Sequence, residues 1–153
     1  MNVSVKELFA SPEDYADKQI TVRGWVRTVR DSKQFGFMEL NDGGCFKNIQ
    51  AVLVRDALDN YDECVKLGVG SAVSVTGTLK ITPQARQPFE IQAEQVRVGG
   101  DCAPDYPLQK KRHTMEFLRT LPHLRQRTNT LSAVFRIRSL AAFANHQFFN
   151  MNG

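Results

Sequence analysis

Ile20-Thr-Val-Arg-Gly-Trp-Val-Arg-Thr-Val-Arg30, then Phe35-Gly-Phe-Met-Glu-Leu40, then Asn48-Ile-Gln-Ala-Val-Leu-Val54: these three runs decide how the chain folds. Each is rich in β-branched and aromatic residues, and turn residues separate them, so they predict three consecutive strands. Alternation gives each strand two faces. Ile20, Val22 and Val26 share one face of the first strand, Met38 and Leu40 of the second, and Ile49, Ala51 and Leu53 of the third. Those residues form a candidate core. The opposite parity carries Arg23, Trp25 and Arg27, then Phe35, Phe37 and Glu39, then Asn48 and Gln50. Two phenylalanines beside charged and amide residues are unusual for a surface that is only solvated. Aromatics interleaved with arginine, glutamine and glutamate suit stacking on bases and hydrogen bonding to their edges.

Working outward, Ser4-Val-Lys-Glu7 fits a capping box and predicts a short helix over Val5 to Ala10. Ser11-Pro12-Glu13-Asp14 predicts one further turn, with proline at its first position. After the third strand, Leu58, Tyr61, Cys64 and Val65 fall at helical spacing within Asp56 to Leu67, and Gly68 is a natural stop. A fourth strand follows from Ala72 to Ile81, with Val73, Val75, Leu79 and Ile81 on one face. Pro83 to Pro88 is a loop, and Phe89 to Val98 is a fifth strand. Its apolar parity shifts between Ala93 and Val96, which predicts a bulge. Three strands, a helix, then two strands is the order of the OB-fold, an all-β five-stranded barrel with small helices. Such barrels bind along strands two and three and the loops after strands one and four. That face would hold Phe35, Phe37 and Gln50, and those loops contain Lys33 and Arg86.

The chain has 153 residues, 42% hydrophobic and 24% charged, which suits one ordinary globular domain with an appendage. No apolar run approaches the ~20 residues of a membrane span, so no membrane partner is expected. The first residues lack the apolar core of a signal sequence. Cys45, Cys64 and Cys102 are scattered without metal-ligand spacing, so no metal site is expected. Reduced thiols in a cytoplasmic protein suit that pattern. The formal charge of +4 is unevenly spread. Residues 1–100 hold 12 Lys and Arg against 13 Asp and Glu, whereas residues 101–153 hold 8 against 3. Grip on any single strand by charge alone needs a basic excess on the binding domain itself. A nearly neutral strand domain favours selective base reading.

Gly99-Gly100-Asp-Cys-Ala-Pro104-Asp-Tyr-Pro107 has the composition of a hinge. Beyond it runs a basic segment, Gln109 to Arg127, with His113 and His123 in surface roles. Asn129-Thr130 then opens a helix apolar on more than one side, through Phe135, Leu140, Phe143, Phe148 and Phe149. A helix so apolar has to bury against something. The expected division is a barrel over 1–100, a basic hinge over 101–130, and a further domain beginning at 131–153.

Gly24-Trp25-Val26-Arg27, Arg30-Asp31 and Phe37 resemble the anticodon-binding barrel of class II aminoacyl-tRNA synthetases, in the subgroup for aspartate, asparagine and lysine. The run from Asp105 to Arg119, with Pro122-His-Leu-Arg125 and Arg127-Thr-Asn129, is most similar to the asparagine-specific members. The resemblance implies a tRNA partner whose anticodon loop has a central uridine. It also implies a homodimer for the complete enzyme, and asparagine ligation with ATP and Mg2+. Phe37 matches the position that stacks on the uridine, Gln50 the amide that reads its edge, and Arg30 a nearby donor. Glu90 matches a position near the first anticodon base. Trp25 is expected to pack on the barrel wall or the N-terminal turn.

The family's three catalytic motifs lie beyond the helix at which this sequence stops, so no catalytic residue is expected among these residues. At Gln126 the family pattern has proline. Two other readings use the same residues differently. One is a general single-strand-binding OB protein. The other is a non-catalytic interaction module derived from a synthetase, pairing through the apolar helix.

Overall fold

The period-2 segments form strands where the alternation puts them. In the computed structural model, which describes residues 1–85 and 87–153, β1 is Gln19–Ser32, β2 Phe35–Asn41 and β3 Ile49–Val54. β4 is Ala72–Ile81 and β5 Phe89–Gly100. The strands close into a barrel in the order β1-β2-β3-β5-β4, with β4 returning antiparallel to β1. The β3–β5 seam is parallel and pairs only Ala51 with Ile91 and Val52 with Gln92. This is the OB-fold. All eight residues assigned to the core from β1, β2 and β3 are buried. Each of the valine, leucine, isoleucine and methionine side chains among them contributes about 1.5–3 kcal/mol.

Helix α1, Val5–Ala10, adds Val5 and Leu8 to the same core. Its capping box is complete: Ser4 and Glu7 satisfy each other's backbone N–H. The Val5 N–H finds a partner outside the helix, donating to Asp42 Oδ2 at 2.7 Å. A turn of 3-10 helix over Pro12–Tyr15 follows, as the Ser-Pro signature predicts.

Two details differ from the periodicity. The single helix expected over 56–67 is broken into a 3-10 turn, Arg55–Ala57, and a four-residue helix α2, Tyr61–Cys64. Leu58 is extended between them, and the Asn60 side chain donates to Val96 O at 3.0 Å instead of continuing a helix. Leu58, Tyr61 and Cys64 still reach the core. Burial pushes the Cys64 thiol up to about 11, which suits packing rather than reactivity. Ile81 is the second difference. It is 41% exposed, because β4 ends there and passes into the loop. The bulge in β5 is present. Thr76 pairs with Gln95 and Gly77 with Ala93, so Glu94 is the extra residue.

The two glycines at the start of the hinge composition belong to β5, where Gly100 pairs with Ala72. Beyond them, the Asp101 carboxylate accepts from the buried Ser71 hydroxyl at 2.8 Å and the Cys102 N–H at 2.7 Å. The Ser71 bond first, then the Cys102 bond, holds the Asp101 carboxyl below its ordinary value. A depressed native pKa gives stability above the ordinary carboxylate range that is lost as pH falls through the native value. Asp101→Ala is therefore expected to melt below wild type at neutral pH. The gap should close on acidification, and a gap independent of pH would remove Asp101 from this role.

The chain divides into two units, Met1–Lys110 and Lys111–Gly153. The second holds α3, Met115–Arg119, capped by Thr114, then a 3-10 turn Arg125–Arg127 and α4, Asn129–Asn152. His113 stacks on Phe117 with ring centroids 5.2 Å apart. Along α4, Leu140, Phe143, Phe148 and Phe149 remain exposed. No helix of the described residues is long and apolar enough to cross a membrane.

Candidate nucleic-acid interface

A bulge in β1 decides which residues meet on the outer face. Val26 pairs with Leu40, but Thr28 pairs with Glu39, so Arg27 is the extra residue. Uninterrupted alternation from Val22 and Val26 would send Thr28 and Arg30 into the core. The bulge reverses the parity and re-aims the strand. Val29 then lies opposite the buried Met38, and Arg30 opposite Phe37. The Arg30 guanidinium carbon sits 5.9 Å from the centroid of the half-buried Phe37 ring, within cation–π reach.

The row continues across the sheet. Phe37 pairs with Val52, which pairs with Gln92; Glu39 pairs with Gln50. Gln50 Nε2 donates to Glu90 Oε2 at 3.1 Å, and Asn48 Nδ2 donates to Glu39 Oε2 at 3.3 Å. Arg30, Phe37, Gln50 and Glu90, drawn from four strands, thus share one face. Phe35, 44% exposed, lies on the same face of β2 opposite Val54. Lys33 occupies the β1–β2 turn at φ 61° with its side chain exposed. Arg86 lies outside the described residues.

Arg55 fastens that turn. Its backbone N–H donates to Gln34 O at 3.1 Å and its Nε to Lys33 O at 2.7 Å. Its guanidinium pairs with Asp62 at 2.7 Å and stands 4.3 Å from the Tyr61 ring centroid. Tyr61 Oη donates to Asp31 Oδ1 at 2.8 Å, and Arg55 Nη2 lies 3.7 Å from Asp31 Oδ2. Burial, then the Asp31 bond, pushes the Tyr61 phenol up, so it remains a donor. Asp31 is thereby occupied on the side away from Arg30. Among the described residues Arg30 makes no ion pair, so its charge is available on the outer face.

Three further residues belong to this surface. Val52 shares the parity of Asn48 and Gln50 and was legible from alternation alone. Gln87, in the β4–β5 loop, accepts from the Gln50 N–H at 3.0 Å. Lys110 reaches Thr28 Oγ1 at 3.5 Å, from 82 residues away. No local signal announces either of the last two contacts. Trp25 is 39% exposed, and its ring edge lies close to Gly43 in the β2–β3 turn.

A planar aromatic, a guanidinium, an amide and a carboxylate on an open sheet face form a surface for unstacked bases. The profile of the OB-fold nucleic acid binding domain family, in its tRNA anticodon form, matches residues 20–98, and the chain belongs to that family. Among curated proteins, it is 58% identical over 149 residues to the asparagine–tRNA ligase of Acetivibrio thermocellus, covering 97% of this chain and 32% of that protein. The enzyme of the same name from Alkaliphilus oremlandii is 55% identical over 152 residues, covering 99% and 33%. The chain thus spans about a third of the length of these relatives. Among solved structures, asparaginyl-tRNA synthetase from Pyrococcus horikoshii, complexed with asparaginyl-adenylate, superposes with a TM-score of 0.86 at 24% identity, over 100% of this chain and 35% of that one. A putative aspartyl-tRNA synthetase from Leishmania major gives 0.81 at 21% identity, over 97% and 32%. The structural likenesses speak for the fold.

Proposed function

We propose that this chain is the tRNA-reading part of an asparagine–tRNA ligase, and that its barrel binds an anticodon loop with uridine at the centre. The observation that carries the reading is the shared face of Arg30, Phe37, Gln50 and Glu90. In this reading Phe37 stacks on the central base and Gln50 faces its edge. Uracil offers carbonyl acceptors and one N–H donor, and an amide supplies both complements. Arg30 donates nearby, and Glu90 accepts from the two adjacent donors of a guanine at the first anticodon position. Phe35 offers a second stacking surface, and Lys33 and Arg86 supply charge at the loops toward the phosphates. The complete enzyme joins asparagine to tRNA with ATP and magnesium, works in the cytoplasm and is a homodimer. Similarity to the curated ligases supports the ligase part of that reading. No cluster of three His, Cys, Asp or Glu side chains that could hold a metal ion is present among the described residues, and no step of the ligation is assigned to them.

Titration against an anticodon stem-loop and an unstructured oligonucleotide of equal length tests the proposal. The stem-loop with central uridine should bind tighter than both the oligonucleotide and its cytidine counterpart. Equal affinities for all three would leave a general single-strand binder. Gln50→Glu should cut the uridine preference more than it cuts overall binding. It removes an amide donor that faces a carbonyl and sets a second carboxylate beside Glu90. An unchanged uridine-to-cytidine ratio would take Gln50 out of the site.

A further inference from the structure

Two contacts around Gln50 have directions that chemistry fixes. Its backbone N–H can only donate, so the group of Gln87 facing it at 3.0 Å is Oε1. A carboxylate accepts and does not donate, so the Gln50 group facing Glu90 at 3.1 Å is Nε2. Gln87 thus holds the Gln50 main chain while Glu90 holds one end of its side-chain amide. The loop behind Gln87 is itself tied down: Thr82 Oγ1 donates to Gln87 O at 2.9 Å, and the Thr82 N–H to Pro88 O at 2.7 Å. The amide is left with its oxygen and one N–H to offer, in one order and not the other.

That order matters for a pyrimidine. Uracil presents the O4 acceptor beside the N3–H donor. Cytosine presents the N4 amino donor beside a bare N3 acceptor. The two edges are inverses of each other at these positions. An amide turned through 180° about its last torsion exchanges donor and acceptor, and that torsion is broad and two-fold. A glutamine free to turn therefore complements either base. The geometry points to Glu90 as the group that makes Gln50 selective, by locking its amide in the single orientation that complements a 4-keto pyrimidine and opposes a 4-amino one. This rests on the reading in which Gln50 faces the central base. It gives Glu90 a positioning role at that base, apart from any contact with its neighbour.

Glu90→Gln tests the lock without changing shape. A glutamine at this position accepts from Gln50 in one orientation and donates to it in the other, so both orientations are satisfied. The full chain is titrated with two RNA stem-loops that differ only in uridine or cytidine at the centre of the loop, with the first anticodon base held constant. The wild-type chain should prefer uridine. Glu90→Gln should lower the uridine-to-cytidine affinity ratio by about tenfold, chiefly through tighter binding of the cytidine loop, with an unchanged melting temperature. Glu90→Ala, which removes the acceptor altogether, must lose the preference too. A ratio preserved in both variants overturns the inference, even if overall affinity drops, because Glu90 would then act on the RNA alone. A wild-type chain with no uridine preference would instead sink the reading of Gln50 itself, and the lock with it.

Discussion

Gly77→Ala is expected to destabilise the barrel by about 3 kcal/mol or more, the upper range for forced overpacking. Gly77 sits in β4 between the buried Val75 and Leu79, on the parity that points into the core. A Cβ there would stand 2.0 Å from Gln92 O, 2.8 Å from Gln92 C and 2.9 Å from Ala93 Cα. All three are backbone atoms, so no side chain can swing aside. The β5 bulge at Glu94 lies beside this close approach, and its carboxylate is tied to Thr78 at 2.7 Å and Gln19 at 2.6 Å. A methyl group would wedge apart β4 and β5, the strands that share the longest register in the barrel. Thermal denaturation followed by circular dichroism measures the loss. Gly100→Ala is the control, since a Cβ there meets nothing within 4 Å. If Gly77→Ala melts within about 2 °C of wild type, the strands separate more cheaply than this geometry allows.

The second large effect is expected in binding. Phe37→Ala should weaken the anticodon stem-loop by about 1–3 kcal/mol, the usual worth of one base–aromatic stack. The ring is half-buried on the outer face, flanked by Arg30 and Val52 rather than inserted in the core. Its removal leaves the buried cluster intact, so the melting temperature should move little. The substitution also removes the surface beside which Arg30 rests, so Arg30→Ala and Phe37→Ala should be non-additive in a double-mutant cycle. A large loss of stability with undiminished affinity would mean that Phe37 serves the fold and not the RNA.

Most of the barrel was legible because its signals are local. Alternation marked Ile20, Val22, Val26, Met38, Leu40, Ile49, Ala51 and Leu53 as core, and each is buried. Turn residues marked the breaks, and the capping box marked α1. The parity shift after Ala93 revealed the β5 bulge, since apolar residues on both sides of it record the change of face. The helix over 56–67 was overstated because helical spacing does not exclude an extended Leu58, and the Asn60 bond to Val96 is non-local. Ile81 misled because alternation marks a face and not its depth: the residue still pairs with Phe89, but at the last position of β4, where the core no longer covers it.

From the sequence by itself came the number and order of the strands, the residues they bury, and an aromatic and amide parity on β2 and β3. These follow from period-2 patterning and turn chemistry, which each segment carries within itself. Only the tertiary structure decided that Arg30 stands over Phe37. The bulge at Arg27 leaves a faint trace in the letters, since Val29 is the one apolar residue of β1 beyond it to record the change of face from Val26, and the partner strand sets the register. Only the tertiary structure decided that Glu90, 40 residues on, holds the amide of Gln50. That contact depends on the parallel β3–β5 seam, which exists because the barrel closes. Closure is a property of all five strands together and is written in none of them singly.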